Sequence, residues 1–214
     1  MVHRSKLSGN TDEFALQLLR NQIDQHVYPV HRLDRKTSGV LLFALAQSLI
    51  APVQKQFQEQ LTKKTYWAIV RGFTEESGQI DYALTNDKGK SQSAITNYKT
   101  LKHTEVPVAF GKFDTSRYSW VEAKPITGRM HQLRKHFAHI NHPIIGDRPH
   151  GCNKQNKLFL SQWNMSSMLL HAKSLQLTHP ITHSPLNIQA PCSAVFDRML
   201  KELAFIPSLG KEQV

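Results

Sequence analysis

The sequence predicts an α+β fold in which helices and loops flank a mostly antiparallel, mixed central sheet. Strand patterns and helix patterns are interspersed along the chain without strict β-α alternation, which favours this class over a doubly wound fold. Hydrophobic residues make up 40% of the 214 residues, enough for a core. The ten glycines and ten prolines are scattered rather than gathered in a linker. We therefore predict a single domain over residues 1–214.

The first elements are indicated by a helix start and by an apolar run. Asn10 and Glu13 resemble a capping box, and the apolar residues that follow share one helical face, which predicts a helix over 11–25. Residues 39–46 (GVLLFALA) are nearly all apolar and too few for a core helix. They predict a strand buried on both faces.

Later elements follow from similar patterns. A helix over 48–61 carries Pro52 in its first turn or so, where proline is best tolerated. Residues 65–72 are rich in aromatic and β-branched side chains and predict a central strand. Further strands are predicted over 80–84, 94–101, 118–124, 169–177 and 186–190, and further helices over 130–140 and 194–203.

The charge of the chain indicates a polyanionic partner. Lys and Arg number 27 against 16 Asp and Glu, a net charge of +11. Such a domain favours nucleic acid, with an anionic membrane surface or a merely basic soluble protein as alternatives. No apolar run approaches the roughly 20 residues that span a bilayer, and no secretory signal is visible. We therefore expect no membrane partner.

Cysteine and histidine do not suggest a metal site. Cys152 and Cys192 lie too far apart for a disulfide framework or a thiolate site, which favours a reducing, cytoplasmic compartment. Histidines at 131, 136, 139 and 142 lack the H-E-x-x-H spacing. We expect no metal.

The segment most indicative of chemistry is 31–39, HRLDRKTSG. Asp34 lies between Arg32 and Arg35, and nearby guanidinium groups favour the ionised form of a carboxylate, which a nucleophile or a base requires. The alternative is a surface ion pair of the common kind, worth about 0–1 kcal/mol.

The wider sequence resembles the RluA family of pseudouridine synthases. HRLDRKTSG resembles the family's aspartate motif, H-R-L-D-x-x-T-S-G. Four more segments follow in the family's order: KTYWAIVRG (64–72), PITGRMHQLRKH (125–136), HPIIGD (142–147) and LHAKSLQLTHP (170–180). The resemblance implies the pseudouridine synthase fold and RNA uridine isomerisation without a cofactor. The family's usual N-terminal strand with an N-K-P-x-G motif has no counterpart, so we expect an N-terminally shortened domain.

Residue roles follow from this resemblance. It implies that Asp34 is the catalytic carboxylate, that Tyr66 stacks on the uracil and assists proton removal from C5, and that Arg129 pairs with Asp34. Taken without the motif, Tyr66 reads as a core tyrosine and Arg129 as a phosphate-binding or solvent-facing residue. RNA contacts are expected from seven residues: Arg32, Arg35, Lys64, Arg71, Arg134, Lys135 and His136. A solvated helix face is the alternative for the last three.

The target RNA is indicated by two further stretches. PVAFGKFDTSR (107–117) and HPIIGDRPHG (142–151) resemble the branch of the family that modifies position 65 of tRNA. A ribosomal RNA target and a non-catalytic RNA-binding module remain alternatives. The joint presence of Asp34, Tyr66 and Arg129 argues against the module. We expect tRNA as the partner of a monomer.

Overall fold

A computed structural model describes residues 14–207, which form five helices and eleven strands. The helices are α1 (Ala15–Ile23), α2 (Ile50–Gln58), α3 (Gln132–His139), α4 (Asn153–Trp163) and α5 (Ala194–Glu202), with a 3₁₀ turn at Gln47–Leu49. The strands are β1 (Tyr28–Pro29), β2 (Ser38–Gly39), β3 (Phe43–Ala44), β4 (Lys63–Arg71), β5 (Ser77–Asp81), β6 (Leu84–Thr85), β7 (Ser91–Gln92), β8 (Ile95–Val106), β9 (Ser116–Pro125), β10 (Leu170–Thr178) and β11 (Pro185–Gln189).

Seven of these strands form the central sheet. Six are ordered β11-β10-β4-β9-β8-β5, and every neighbouring pair is antiparallel. Strand β2 adds to β10 in parallel, with Ser38 opposite His171. The sheet is therefore mixed but mostly antiparallel, which confirms the predicted fold class.

Both faces of the sheet are covered. On strand β9, Tyr118 and Trp120 pack into a core with α4 and α5, whereas Val121 and Ala123 pack with α3 on the other face. Because apolar side chains are required at both odd and even positions, the alternation that marks a half-buried strand is lost. Tyr118, Val121 and Ala123 are all fully buried.

The prediction of one strand over 39–46 is wrong. Only Ser38–Gly39 and Phe43–Ala44 are strands, and they belong to different sheets. Gly39 has φ +106°, and a Cβ there would lie 2.2 Å from the carbonyl oxygen of Ala172. Glycine thus allows β2 to approach β10 closely. The apolar run then turns away, and Leu45 is exposed.

Other predictions differ in detail. The predicted strand over 80–84 is divided, since β5 ends at Asp81 and β6 begins at Leu84. Helix α4 was not predicted, because only Gln155 and Phe159 of its residues are buried and the apolar pattern is weak. The predicted capping box at Asn10 and Glu13 lies outside the described residues.

Candidate active site

A cavity of about 710 Å³ opens beside helix α3. Its walls come from the loop that joins β1 to β2, from α2, from β4, and from the turn between β9 and α3. Residues from four of the five segments that resembled the family, including Asp34, Tyr66, Arg129 and Arg134, line it, whereas none from 142–147 does. Packing of these elements therefore brings together residues that are far apart in the sequence.

Asp34 lies on the β1–β2 loop, in a turn closed by the Thr37 amide donating to the Asp34 carbonyl (2.9 Å). Its side chain is 20% exposed. Arg134 Nη1 donates to Oδ2 of Asp34 at 3.0 Å. His131 Nε2 lies 3.9 Å from the other oxygen, Oδ1, beyond hydrogen-bonding distance. Within the described residues, one carboxylate oxygen is thus engaged and the other has no hydrogen-bond donor.

Arg134 is buried between two carboxylates. Its Nε and Nη2 donate to the two carboxylate oxygens of Asp147, each at 2.8 Å. Arg134 is 7% exposed and Asp147 only 1%. Burial alone would lower the pKa of Arg134, but the hydrogen bonds to Asp147 and Asp34 outweigh it and raise that pKa. The guanidinium is therefore a permanent positive charge next to Asp34.

The expected partner of Asp34 was Arg129, and this is corrected by the structure. Arg129 lines the cavity, but its Nε donates to the Ser93 carbonyl at 3.0 Å. Arg129 precedes the helix, in the turn before His131, whose φ is +55°. Arg134 lies in the first turn of α3, from which its side chain reaches Asp34. Sequence reasoning chose the first arginine of the motif, whereas helix geometry selects the second.

Tyr66 lines the cavity from the middle of β4. The residues opposite it on the neighbouring strands are Ala172 and Ala123, whose side chains are small. Burial, and then the negative charge of Asp34, raise the pKa of Tyr66 to about 12. The phenol therefore stays protonated at neutral pH, and its flat ring is the surface that Tyr66 offers to a base.

Several motif residues hold the backbone of the site rather than face the cavity with free groups. His31 Nε2 accepts the Leu42 amide at 2.9 Å, and its ring stacks on Phe57. Burial, and then Lys64, lower the pKa of His31 to about 4, so its imidazole is neutral. Gln132 accepts from Thr127 Oγ1 (2.7 Å) and from the Arg129 amide (2.9 Å), which closes the turn before α3.

The predicted RNA-contacting residues fall into two groups. Arg32 and Lys64 line the cavity, and burial lowers the pKa of Lys64 to about 8. Arg35 is exposed on the same loop, and Lys135 is half-buried with its Nζ 3.3 Å from the Thr85 carbonyl.

The remaining three residues are engaged by contacts within the protein. Arg134 is held by carboxylates, and His136 is fully buried with Nε2 bonded to the Tyr82 carbonyl. Arg71 ends β4 on the face opposite Tyr66, where its guanidinium covers the Phe110 ring. Helical and strand periodicity decides the direction in which each of these basic side chains points.

Two residues that lie at this site in the structure were given no role from the sequence. Asp147 ends the HPIIGD segment, and His131 follows the Gly128 turn, but neither was given a role. Within residues 14–207, no group of three or more His, Cys, Asp or Glu side chains is placed to hold a metal. No helix in that part of the chain is long and apolar enough to cross a membrane.

Comparisons with known proteins agree on one family. A family model described as RNA pseudouridylate synthase matches residues 1–139. Two curated relatives, from Vibrio parahaemolyticus and Vibrio cholerae, are each named tRNA pseudouridine synthase C and are each 44% identical to this chain. The matches cover 99% and 98% of this chain and 90% of each relative.

Two solved human structures share the fold. RNA pseudouridylate synthase domain containing 1 aligns with a TM-score of 0.70 at 23% identity, over 96% of this chain and 94% of that one. RNA pseudouridylate synthase domain containing 4 aligns with a TM-score of 0.67 at 26% identity, over 88% of this chain and 80% of that one.

Proposed function

This chain belongs to the RNA pseudouridylate synthase family and is an isomerase, and on that premise we propose that it converts a specific uridine of tRNA to pseudouridine. The observation that carries the proposal is the carboxylate of Asp34. Asp34 lines the cavity with one oxygen bonded to a buried guanidinium, and no donor among residues 14–207 bonds the other oxygen. The tRNA substrate is supported by the names of the relatives. Position 65 is supported by the resemblance of 107–117 and 142–151.

The reaction balances without an outside reagent. The bond from uracil N1 to ribose C1′ breaks, a bond from C5 to C1′ forms, and the proton on C5 leaves while N1 gains one. Asp34 acts on the ribose, either as a nucleophile at C1′ or as a base at C2′, and both routes need an ionised carboxylate. The guanidinium of Arg134 stabilises that ionised form.

The cavity suits one flipped nucleotide. Its volume of about 710 Å³ lies within the range of roughly 300–1000 Å³ usual for small-molecule sites. A stacked uridine must leave its helix, which costs a few kcal/mol. Stacking on Tyr66 returns about 1–3 kcal/mol, and Arg32, exposed at the cavity, is placed to occupy the gap in the RNA.

We assign Tyr66 to stacking rather than to proton removal. With a pKa of about 12, only about one phenol in 10⁵ is ionised at neutral pH. A phenolate base would therefore be rare, whereas the ring is always available. This narrows the expectation that Tyr66 also assists proton removal from C5.

Further parts of the proposal concern partners and location. The isomerisation is redox-neutral and consumes no energy source, so we propose that it needs no cofactor and no metal. RNA is the substrate, and we propose that the enzyme works as a monomer in the cytoplasm. The basic groups at the cavity, including Arg32 and Lys64, would contact phosphates, so RNA binding should weaken steeply with salt.

The test is chemical mapping of pseudouridine in unmodified tRNA and ribosomal RNA transcripts, each incubated with the protein. Wild type should modify one position, and Asp34→Asn should lower the rate by about 10³-fold or more while RNA binding is kept. Asp87→Asn, which changes an exposed aspartate in the turn between β6 and β7, is the matched control. If wild type and Asp34→Asn bind RNA equally and neither modifies it, the protein is an RNA-binding module instead. Modification of ribosomal RNA alone would reject the tRNA substrate.

A further inference from the structure

We propose that Asp147 is a positioning residue for this reaction, which acts through Arg134 to leave one oxygen of Asp34 free for the ribose. The inference rests on the proposed function. It concerns a buried carboxylate that does not line the cavity itself. Its role would be to set the orientation of the Arg134 guanidinium relative to Asp34.

The hydrogen bonds of Arg134 show how Asp147 would set that orientation. A guanidinium carries five N–H donors in a rigid plane, and it binds a carboxylate most favourably through two parallel bonds. Asp147 takes that two-bond arrangement, through Nε and Nη2 at 2.8 Å each. Asp34 is left with a single bond from Nη1, at 3.0 Å to Oδ2. The plane of Arg134 is thus set by Asp147, not by Asp34.

The consequence lies at the second oxygen of Asp34. Within residues 14–207 no hydrogen-bond donor contacts Oδ1, and His131 Nε2 stays 3.9 Å away. If Arg134 were released, it could turn its fork toward Asp34 and bind both oxygens. An oxygen that accepts such a bond is a weaker base and a weaker nucleophile. Asp147 therefore keeps Oδ1 of Asp34 free to react.

Asp147 is itself held firmly. Asn156, from helix α4, donates through Nδ2 to the Asp147 carbonyl (2.7 Å) and accepts the Gly146 amide (2.9 Å). Gly146 has φ +82°, and a Cβ there would lie 1.8 Å from the Ser167 carbonyl oxygen. Only glycine fits this approach, so the turn that carries Asp147 has little freedom.

Stability alone does not explain the arrangement. Two carboxylates and one guanidinium are withdrawn from water here, with exposures of 20% for the Asp34 side chain and 1% and 7% for Asp147 and Arg134. Buried ion pairs are often matched or exceeded in stability by apolar side chains of similar size. The network is better explained by the orientation that it imposes on Arg134.

The experiment compares Asp147→Asn with Asp147→Glu and wild type. Asparagine places an amide N–H₂ against the guanidinium, so the two-bond arrangement is lost. We expect kcat on tRNA transcripts to fall about 100-fold, with KM and RNA affinity within about threefold of wild type. Glutamate restores the charge at a shifted position, so part of kcat should return. Asp197→Asn, which removes an ion pair on helix α5, is the control and should keep wild-type kcat.

Two readouts separate positioning from mere structural support. If Asp147 acts through Arg134, then Asp147→Asn should add little to the loss caused by Arg134→Lys, whereas independent effects would multiply. In Asp147→Asn the guanidinium faces one negative charge instead of two. The acid limb of the pH profile of kcat should then move to lower pH, whereas a folding defect would lower the whole profile without moving it.

The results that would reject the positioning role of Asp147 differ from the result that would reject the proposed function. If wild type makes no pseudouridine, the proposed function is wrong. If wild type is active and Asp147→Asn is equally active, or its effect multiplies with that of Arg134→Lys, the positioning role is wrong. If Asp147→Asn and Asp147→Glu both fail to fold, Asp147 supports the fold rather than the reaction, and the inference is overturned.

Discussion

The two faces of the central sheet are both covered by helices, but they bury different kinds of side chain. The face under α4 and α5 packs an apolar core that includes Tyr118, Phe196 and Met199. The face under α3 has its own apolar core, yet beside that core it buries Arg134 and Asp147. The charged residues buried in the described part of the chain are these two alone.

The difference separates stability from chemistry. Apolar burial stabilises a fold wherever it occurs, whereas withdrawing charges from water costs free energy that their pairing only partly returns. A protein selected for stability alone would gain little from burying Arg134 and Asp147. The α3 face therefore carries charged groups whose orientation matters for the reaction. The apolar core on the opposite face stabilises the sheet that positions them.

The largest expected effect comes from removing the buried cation. Arg134→Met leaves Asp34 and Asp147 facing each other without a positive charge, and should destabilise the protein by about 3–5 kcal/mol and abolish activity. Urea unfolding and pseudouridine mapping measure the two effects. Arg117→Met, which breaks the exposed pair with Glu105, should cost far less stability than Arg134→Met, because water screens exposed charges. Equal costs for the two variants would contradict the contrast drawn here.

A substitution in the apolar face should change stability without chemistry. Met199 is fully buried on α5, and Met199→Ala should lower the free energy of unfolding by about 2–5 kcal/mol through lost packing. The folded protein should keep the kcat of wild type at a temperature below its transition. A fall in kcat of the folded protein would show that the two faces are coupled.

Acid should destabilise the protein through His31. The pKa of His31 is lowered to about 4 in the folded state, so below the ordinary value of 6.5 the unfolded chain binds a proton that the folded chain does not. His31 therefore stabilises fully above pH 6.5, and that contribution is lost as pH falls toward 4, by on the order of 3 kcal/mol. Urea unfolding between pH 4 and 7 should show a shallower dependence for His31→Gln.

The control for this measurement is His26→Gln, because His26 is exposed. Its unfolding free energy should follow the pH dependence of wild type. If His31→Gln and wild type show the same slope between pH 4 and 7, the buried neutral imidazole is not the cause of acid sensitivity.

The smallest expected effect is at the hydroxyl of Tyr66. Because that phenol stays protonated, Tyr66→Phe should keep kcat within about threefold, whereas Tyr66→Ala loses the stacking surface, worth about 1–3 kcal/mol. Single-turnover rates measure both variants. A large loss of activity in Tyr66→Phe would instead indicate that the Tyr66 hydroxyl takes a direct part in proton removal.

Local sequence patterns were sufficient for much of the fold. Aromatic and β-branched residues at 65–72 predicted the central strand β4, and the apolar spacing after Met130 predicted α3, because each pattern reports one element's own burial. The run at 39–46 misled for the same reason. Its residues are apolar, but at Gly39 the chain pairs closely with β10. A local sequence pattern carries no information about that long-range pairing.

The sequence by itself determined the fold class, the family resemblance and the choice of Asp34 as candidate, since these depend on local periodicity and on a contiguous motif. Only the tertiary structure decided that Arg134 rather than Arg129 pairs with Asp34, and that Asp147 orients Arg134. Asp34 and Arg134 are 100 residues apart in the chain. Which of two nearby arginines reaches so distant a carboxylate depends on where a helix starts and how it packs, and packing is a property of the whole fold.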